Sequence, residues 1–455
     1  MFKKIQNIHF VGIGGIGMSG IAEVLLNQGY AVSGSDLKLS ATTERLASLG
    51  ARVFGGHHSQ HLEAVDVVVI SSAVQPDNPE VLEAHRRQIP IIPRAEMLAE
   101  LMRMKYGITV AGTHGKTTTT SMIAVLLQEA GMDPTVVVGG RLNALGSNAR
   151  MGTGDFMVVE ADESDRSFLM LSPTLAIVTN IDEDHMESYA GLDDLKEAFV
   201  RFVNKVPFYG AVILCLDEPN LQSLIPRIKR RIVSYGFSGQ ADLNIVNPLY
   251  RGFQSQYQLR YHGEPMGEFR LSIPGRHNVL NATAAIAVGL DLGIPARTLQ
   301  TALEGFRGAD RRFQVKGQAR GITVIDDYGH HPTEVRATLD AARQSGDHRI
   351  VVVFQPHRYS RTQYCFEDFA RAFYQADVLV ISDIYPAGEE PLEGINSERL
   401  VDAIKTHGHK NARYVANLAE IAALLEPELK TGDLVITMGA GNVWKVGDEL
   451  LERLS

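Results

Sequence analysis

A short glycine-rich stretch in the first third of the chain carries the residue types of a phosphate-binding loop. Residues 111–120 read Ala-Gly-Thr-His-Gly-Lys-Thr-Thr-Thr-Thr and lie between an apolar run at 107–110 and a helical pattern that extends to Ala130. In such a loop, backbone N–H groups surround a polyphosphate, a lysine neutralises its outer oxygens and a threonine hydroxyl ligates Mg²⁺. We therefore predict an ATP site formed by Gly112, Thr113, His114, Gly115, Lys116, Thr117 and Thr118.

The loop departs from the commonest form of this motif at one position. The spacing Gly-x-x-x-x-Gly-Lys-Ser/Thr would place a glycine at position 110, where this chain has Val110. Gly112 and Gly115 then supply the flexibility of a variant loop. A glycine-rich turn that binds nothing is the alternative, but Gly-Lys-Thr between a strand and a helix seldom arises by accident.

Acidic residues and a histidine follow two later strand patterns. Glu160 comes directly after the apolar run at 156–159, where a carboxylate can join Thr117 in holding the Mg²⁺ that bridges the β- and γ-phosphates. His185 follows the strand pattern at 175–178 and can ligate a second metal ion. An exposed acidic loop and a solvated histidine are the alternatives. The predicted catalytic residues are Lys116, Glu160 and His185, and the predicted metal ligands are Thr117, Glu160 and His185.

A second glycine-rich motif lies near the start of the chain. The segment Gly12-Ile13-Gly14-Gly15-Ile16-Gly17 stands between a strand pattern and a helical pattern, and Asp36 ends the next strand pattern. This arrangement is typical of a dinucleotide site with a diphosphate at the helix N-terminus. An NAD-dependent oxidoreductase would fit this motif, but it would leave Lys116 and Glu160 without a task. A non-catalytic nucleotide switch is a further alternative.

Polar residues also follow two strand patterns in the last third of the chain. Residues 326–332 read Asp-Asp-Tyr-Gly-His-His-Pro, and residues 356–361 read Pro-His-Arg-Tyr-Ser-Arg. Arg358 and Arg361 can hold a carboxylate through paired hydrogen bonds, whereas a solvated loop is the alternative. These segments are therefore candidates for binding a small acid.

Three residues near the predicted junction of the last two domains offer contacts to a nucleotide. Asn278 and Asn281 begin a helical pattern after Ile-Pro-Gly, although asparagine is also a common helix cap. Arg312 ends an arginine-rich turn, where it can reach a phosphate when domains close or form a structural ion pair instead. All three are therefore candidates for contacts to a base or a phosphate.

Length and the order of strand and helix patterns predict a three-domain α/β protein. A chain of 455 residues with 45% hydrophobic residues suits about three domains of about 150 residues each. We predict a Rossmann-like N-terminal domain at 1–105, a central phosphate-loop α/β domain at 106–312 and a Rossmann-like C-terminal domain at 313–455. Alternating polar and apolar residues at 241–272 predict an antiparallel hairpin.

Composition excludes several classes of partner. A net charge of −9 argues against a nucleic-acid surface, and no apolar run approaches the length of a membrane span. Cys215 and Cys365 form no Cys-x-x-Cys motif, which favours structural thiols in a reducing compartment. We expect a cytoplasmic protein with small-molecule substrates, no nucleic acid and no membrane insertion, present as a monomer or a weak homodimer.

Together these motifs resemble those of the Mur ligase family, whose members join amino acids to the peptide-stem precursor of the bacterial cell wall. The resemblance covers the whole chain. It rests on five segments, at 12–20, 112–119, 160–165, 326–332 and 356–361. It implies a bacterial ATP-dependent ligase of peptidoglycan precursor synthesis.

The resemblance also implies substrates and roles. The first glycine loop would hold UDP-N-acetylmuramate rather than NAD, and ATP with two Mg²⁺ ions, for which Mn²⁺ can substitute, would activate its carboxylate for attack by L-alanine. A recycling ligase that adds a tripeptide to the same nucleotide sugar is the alternative. The implied residues for the nucleotide sugar are Gly12, Gly14, Gly15, Gly17, Asp36, Ser71, Asp162, Glu163 and Ser164, and those for the amino acid are Tyr328, His330, Arg358 and Arg361. The resemblance also implies that Asn278, Asn281 and Arg312 contact ATP.

One departure separates this chain from several members of that family. Those members carry a carbamylated lysine beyond the position of His185, whereas Phe199 lies near that place here and the closest lysine is Lys196. We therefore expect no lysine carbamate.

Overall fold

Three β-sheets flanked by helices form the protein. The computed structural model describes residues 5–71, 73–142 and 147–455. Most strand pairs are parallel, and buried apolar residues cover the sheets. The predicted three-domain α/β fold class is confirmed.

The first sheet consists of parallel strands alternating with helices. Its elements are β1 (Asn7–Val11), α1 (Ile16–Asn27), β2 (Ala31–Asp36), α2 (Ala41–Ser48), β3 (Arg52–Gly55), β4 (Val67–Ile70), α3 (Pro79–Arg87), β5 (Ile91–Pro93) and α4 (Arg94–Met102). The strand order is β3-β2-β1-β4-β5, so the glycine loop after β1 lies at the centre of the carboxyl edge. Ligands bind at this edge in open α/β sheets.

The central sheet carries the phosphate loop. Its region contains β6 (Tyr106–Ala111), α5 (Lys116–Glu129), β7 (Thr135–Leu142), β8 (Ser147–Arg150), β9 (Phe156–Glu160), β10 (Leu175–Val178), α6 (Leu192–Val203), β11 (Ala211–Cys215), α7 (Pro219–Gln222), β12 (Ile232–Gly236), β13 (Leu243–Arg251), β14 (Gln254–Tyr261), β15 (Glu264–Leu271), α8 (Arg276–Asp291) and α9 (Ala296–Gly305). β6 lies between β10 and β9. Glu160, the last residue of β9, therefore lies beside the phosphate loop, as predicted. His262 and Gly263 separate β14 from β15 at the predicted turn.

The third sheet is doubly wound and has one antiparallel edge strand. Its elements are β16 (Gln314–Ala319), β17 (Ile322–Asp327), α10 (Pro332–Ser345), β18 (Ile350–Phe354), α11 (Tyr359–Tyr364), α12 (Phe366–Ala370), β19 (Val378–Ile381), α13 (Ser397–Thr406), β20 (Ala412–Tyr414), α14 (Leu418–Leu425), β21 (Leu434–Met438) and α15 (Trp444–Leu454). The order is β16-β17-β21-β18-β19-β20. Apolar clusters cover both faces, which is why its central strands are continuous hydrophobic runs.

Two compact units are distinguishable by their internal contacts. The first consists of Met1–Val246, Leu259–Gly267 and Leu280–Leu303, and the second of Asn247–Gln258, Glu268–Val279 and Glu304–Ser455. The first unit holds the phosphate loop, and the second holds the third sheet. The domain boundaries near residues 105 and 312 stay a prediction.

The remaining helical segments are short. The 3₁₀ helices are Ser59–Leu62, Ser167–Met170, Met186–Ser188, Ile225–Arg227 and Glu426–Glu428. Across the part of the chain that the structure describes, no helix has both the length and the apolar character needed to cross a membrane. Cys215 and Cys365 are both buried, as expected of structural thiols.

Candidate functional site

The phosphate loop connects β6 to α5 at the carboxyl edge of the central sheet. Val110, the position without the usual glycine, is fully buried in β6 and pairs with Glu160 on β9 and with Ile177 on β10. The strand therefore continues through position 110. This explains why the loop is shorter than the commonest form and why valine is accommodated there.

Two glycines allow the loop to pass close to its neighbours. Gly112 and Gly115 have φ values of +126° and +81°, which L side chains rarely adopt. A Cβ atom on Gly112 would lie 2.2 Å from Thr179 Oγ1, and one on Gly115 would lie 2.6 Å from Asn281 Oδ1. The side chain of Asn281, predicted to contact ATP, therefore lies against the loop.

Two polar residues after β10 form hydrogen bonds with the phosphate loop. The backbone N–H of His114 donates to Asn180 Oδ1 at 2.8 Å, and Asn180 Nδ2 donates to the His114 carbonyl at 3.0 Å. His114 Nε2 lies 3.0 Å from Asp182 Oδ2. The sequence interpretation missed Asn180 and Asp182. Their only signal was a run of polar residues after a buried strand.

Lys116 and Glu163 form a charge pair inside the loop. Lys116 Nζ donates to Glu163 Oε1 and Oε2 at 2.7 and 2.8 Å, and to the Gly112 carbonyl at 2.7 Å. The exposed fractions of the two side chains are 13% and 2%. Glu163, which the resemblance assigned to the nucleotide sugar, thus contacts the lysine that is predicted to bind phosphate.

Burial and charge act in opposite directions on this pair. Burial alone lowers the pKa of Lys116, but the carboxylates of Glu163, Asp162 and Glu160 outweigh it, so the net shift is upward. Burial raises the pKa of Glu163 to about 7, although the Lys116 ammonium opposes the shift. Lys116 therefore stays charged, whereas Glu163 exchanges a proton near neutral pH.

Thr117 and Glu160 provide oxygen ligands beside the first turn of α5. Thr117 Oγ1 lies 3.2 Å from Glu160 Oε1 and 3.1 Å from Oε2. A carboxylate and a hydroxyl are ligands that Mg²⁺ prefers, and a helix N-terminus is a common binding place for phosphate oxygens. The chemistry of the two side chains suits the Mg²⁺ site, which stays a prediction.

The first glycine loop is fixed by the end of β2. Gly12 N–H donates to the Ser35 carbonyl at 2.8 Å, and Gly14 N–H donates to Asp36 Oδ2 at 2.9 Å. Gly15 precedes α1 and has no side chain to satisfy the N–H groups of the first turn. Those donors suit an anionic ligand.

An arginine connects this loop to the acidic segment after β9. A Cβ atom on Gly17 would lie 2.3 Å from Arg94 Nη1, and Arg94 Nη2 lies 3.8 Å from Asp162 Oδ2. Ser164 N–H donates to Asp162 Oδ1 at 3.0 Å, and Ser71 accepts a backbone hydrogen bond in the turn after β4. The sequence interpretation missed Arg94, because nothing in its local spacing indicates a site.

His185 lies in an acidic environment of its own. Its backbone has a φ of +58°, an uncommon value for a residue other than glycine. Its Nε2 lies 3.7 Å from Asp184 Oδ2, and its Nδ1 lies 3.7 Å from Glu187 Oε1. Its role as a metal ligand stays a prediction.

Phe199, which lies near the position of the carbamylated lysine in several members of the family, is fully buried against Phe168, with the ring centroids 5.2 Å apart.

In the second unit, the predicted amino-acid residues meet around a histidine. The rings of Tyr328 and His330 lie 5.4 Å apart, and those of His330 and His357 lie 5.7 Å apart. Arg361 Nη1 lies 3.2 Å from His357 Nδ1. Three of the four predicted residues are therefore connected through His357, which was not among them. Arg358 contacts a separate carboxylate at 4.0 Å, that of Glu389.

The other predicted ATP contacts of the second unit have structural partners. Arg312 lies 5.2 Å from the Tyr328 ring and 3.4 Å from Glu334 Oε1. Asn278 Nδ2 donates to the Pro274 carbonyl at 2.7 Å, as a residue at the start of a helix often does. The nucleotide roles of Arg312 and Asn278 stay predictions.

A phosphate loop at the carboxyl edge of a mostly parallel sheet, with a lysine in the loop and a carboxylate beside its threonine, is typical of an α/β enzyme that uses a nucleoside triphosphate. Three family models match successive parts of the chain: "Mur ligase family, catalytic domain" at 7–106, "Mur ligase middle domain" at 110–289 and "Mur ligase, glutamate ligase domain" at 311–441. The chain belongs to the Mur ligase family. The resemblance seen in the sequence is confirmed.

Full-length relatives are similar to this chain from end to end. The UDP-N-acetylmuramate–L-alanine ligase of Geobacter sp. (strain M21) is 58% identical and covers 100% of this chain and 99% of its own length. The ligase of the same name from Geotalea uraniireducens (strain Rf4) is 59% identical with the same coverage. The crystal structure of UDP-N-acetylmuramate-alanine ligase MurC from Thermotoga maritima has a TM-score of 0.83 and 31% identity, covering 98% of each chain.

The raised pKa of Glu163 predicts a pH-dependent contribution to stability. Between pH 4.5, its ordinary pKa, and about 7, the folded protein keeps a proton that the unfolded chain has released. Its contribution to stability is therefore present at low pH and is lost as the pH rises. The free energy of unfolding of the parent should fall relative to that of Glu163→Gln between pH 5 and 7, by up to about 1.4 kcal/mol per pH unit.

Urea unfolding at each pH measures this difference. Loss of the partner of Lys116 changes the free energy of unfolding by an amount that does not depend on pH. This amount does not affect the result, because only the change of the free energy with pH is compared. Glu129→Gln, which removes an exposed carboxylate at the end of α5, is the matched control and should give no such slope. Parallel pH profiles of the parent and Glu163→Gln would contradict the assignment.

Proposed function

We propose that the protein is an ATP-dependent ligase that forms an amide bond between the carboxylate of UDP-N-acetylmuramate and the amine of L-alanine. End-to-end similarity to ligases with that name, at 58% identity, is the observation that carries the proposal. The phosphate loop supports it, because Lys116, Thr117 and Glu160 lie where an ATP-dependent activation needs them.

In the first step, an oxygen of the muramoyl carboxylate attacks the γ-phosphorus of ATP. The bond from that phosphorus to the β–γ bridging oxygen breaks, so an acyl phosphate forms and ADP leaves. Lys116 places a positive charge beside the transferred phosphoryl group, where positioning and electrostatics dominate the rate. A Mg²⁺ ion held by Thr117 and Glu160 supplies further positive charge to the phosphates when it is bound.

ATP binding requires Lys116 to change partners. In the structure its ammonium is engaged by both oxygens of Glu163 and by a loop carbonyl. A phosphate oxygen must replace Glu163, which then carries a negative charge or takes up a proton. The pKa of about 7 makes proton uptake accessible at neutral pH.

In the second step, the amine of L-alanine attacks the acyl carbon. The new C–N bond forms, the C–O bond to phosphate breaks, and the proton lost by the amine is balanced by protonation of the released phosphate. Arg361 and the rings of Tyr328, His330 and His357 form the group to which we assign the amino acid, with the guanidinium on its carboxylate.

The remaining contacts follow from the charges of the substrates. We assign the diphosphate of the nucleotide sugar to the N-terminus of α1, with Arg94 beside Gly17 as a second source of positive charge. We assign a second Mg²⁺ ion to His185, with Mn²⁺ as a substitute. This ion would reduce repulsion between the γ-phosphate and the muramoyl carboxylate.

Phosphate release in a mixture of ATP, Mg²⁺, UDP-N-acetylmuramate and L-alanine tests the function. We expect release to depend on all three substrates and to fall by about 100-fold or more in Lys116→Ala, because the variant lacks the charge that stabilises the transferring group. Lys196→Ala is the control and should retain parent activity, since no carbamate is expected there. Release without L-alanine at the full rate, or an unaffected Lys116→Ala variant, would refute the proposal.

Replacement of Arg361 tests the amino-acid site. Arg361→Lys keeps the charge but loses the planar pair of donors, so KM for L-alanine should rise by about tenfold while KM for ATP stays within about twofold. Arg371→Lys, at an exposed ion pair of the same unit, is the control. If the murein tripeptide replaces L-alanine as the preferred substrate, the protein is the recycling ligase instead.

A further inference from the structure

A buried carboxylate in the first sheet region is surrounded by imidazole rings. Glu80 on α3 and His9 on β1 are both fully buried. Glu80 Oε1 lies 2.6 Å from His61 Nδ1 and 3.6 Å from His9 Nε2, and its Oε2 lies 3.4 Å from His57 Nδ1. Nothing in the proposed reaction uses this group of side chains.

Glu80 is held as an anion by its neighbours. Burial raises the pKa of Glu80, but the nearby His9 ring and hydrogen bonds from Ser35 and His61 outweigh burial and lower it to about 2. A buried charge without such donors would be strongly destabilising. The hydrogen bonds that stabilise the carboxylate therefore also fix the side chains that donate them.

One of these donors also holds the first glycine loop. Ser35 Oγ donates to Glu80 Oε2 at 2.5 Å, while the Ser35 carbonyl accepts from Gly12 N–H at 2.8 Å and from Ile13 N–H at 3.0 Å. The next residue, Asp36, accepts from Gly14 N–H at 2.9 Å. Three successive N–H groups of the loop thus donate to two residues, Ser35 and Asp36. Glu80 in turn accepts a hydrogen bond from the side chain of Ser35.

We propose that Glu80 is a positioning residue for the nucleotide-sugar loop, acting through Ser35 on residues 12–14. Its carboxylate fixes the end of β2, and the end of β2 fixes the direction of the loop N–H groups that receive the diphosphate. The ligand's identity as UDP-N-acetylmuramate rests on the proposed function. The positioning role itself rests on the hydrogen bonds between Glu80, Ser35 and the loop.

Two variants remove different parts of this connection. Glu80→Gln keeps the size of the side chain but not the charge, and Ser35→Ala keeps the charge but removes the hydroxyl that joins it to β2. In both, we expect Kd and KM for UDP-N-acetylmuramate to rise by about tenfold, while KM for ATP and for L-alanine changes by less than about twofold. Glu83→Gln is the matched control, because Glu83 lies on the same helix and forms an ion pair with the exposed Arg86.

Calorimetric titration of the full-length protein with UDP-N-acetylmuramate, together with steady-state kinetics, separates the outcomes. A purely structural role would lower the melting temperature of Glu80→Gln but leave Kd for the folded fraction unchanged, which would overturn the proposal. If Glu80→Gln does not fold, Ser35→Ala decides by the same criterion. A parent protein that binds no UDP-N-acetylmuramate would refute the proposed function and this inference together, whereas equal binding by parent and variants would refute the inference alone.

Discussion

The ammonium of Lys116 carries a full positive charge in a place where only 13% of the side chain is exposed. A charge so enclosed is tolerable only when opposite charge and hydrogen-bond acceptors surround it. Both oxygens of Glu163 and the Gly112 carbonyl supply them. The loop is therefore organised before ATP arrives, and polyphosphate binding becomes an exchange of one anion for another. This pre-organisation reduces the reordering that binding would otherwise require.

The central sheet brings the residues around the phosphate loop together from distant parts of the chain. β6 leads into the loop and lies between β9, which ends at Glu160, and β10, which leads to Asn180 and Asp182. Parallel neighbours end at the same edge, so each contributes its following residues to one site. The buried apolar strands thus position charged groups at and beyond their carboxyl ends.

Local patterns predicted the parts of the site that are continuous in sequence. Both glycine loops and Glu160 follow apolar runs and were found where expected. Long-range contacts, such as those of Arg94 with Asp162 and of His357 with His330, were missed because they depend on packing between elements and no local spacing encodes it. The sequence pattern did not show that α5 begins at Lys116, because the four threonines that follow this lysine are weak helix formers. The short edge strands β16 and β20 were missed because their residues are partly polar.

The transfer of one oxygen atom tests the central claim, activation of a carboxylate by phosphorylation, most directly. UDP-N-acetylmuramate labelled with ¹⁸O in its carboxylate is incubated with the protein, ATP, Mg²⁺ and L-alanine, and the released phosphate is analysed by mass spectrometry. If the carboxylate attacks the γ-phosphorus, each phosphate released from substrate with both carboxylate oxygens labelled carries one ¹⁸O atom, because the C–O bond breaks when the amine attacks. Phosphate without ¹⁸O, formed together with the amide product, would contradict this mechanism.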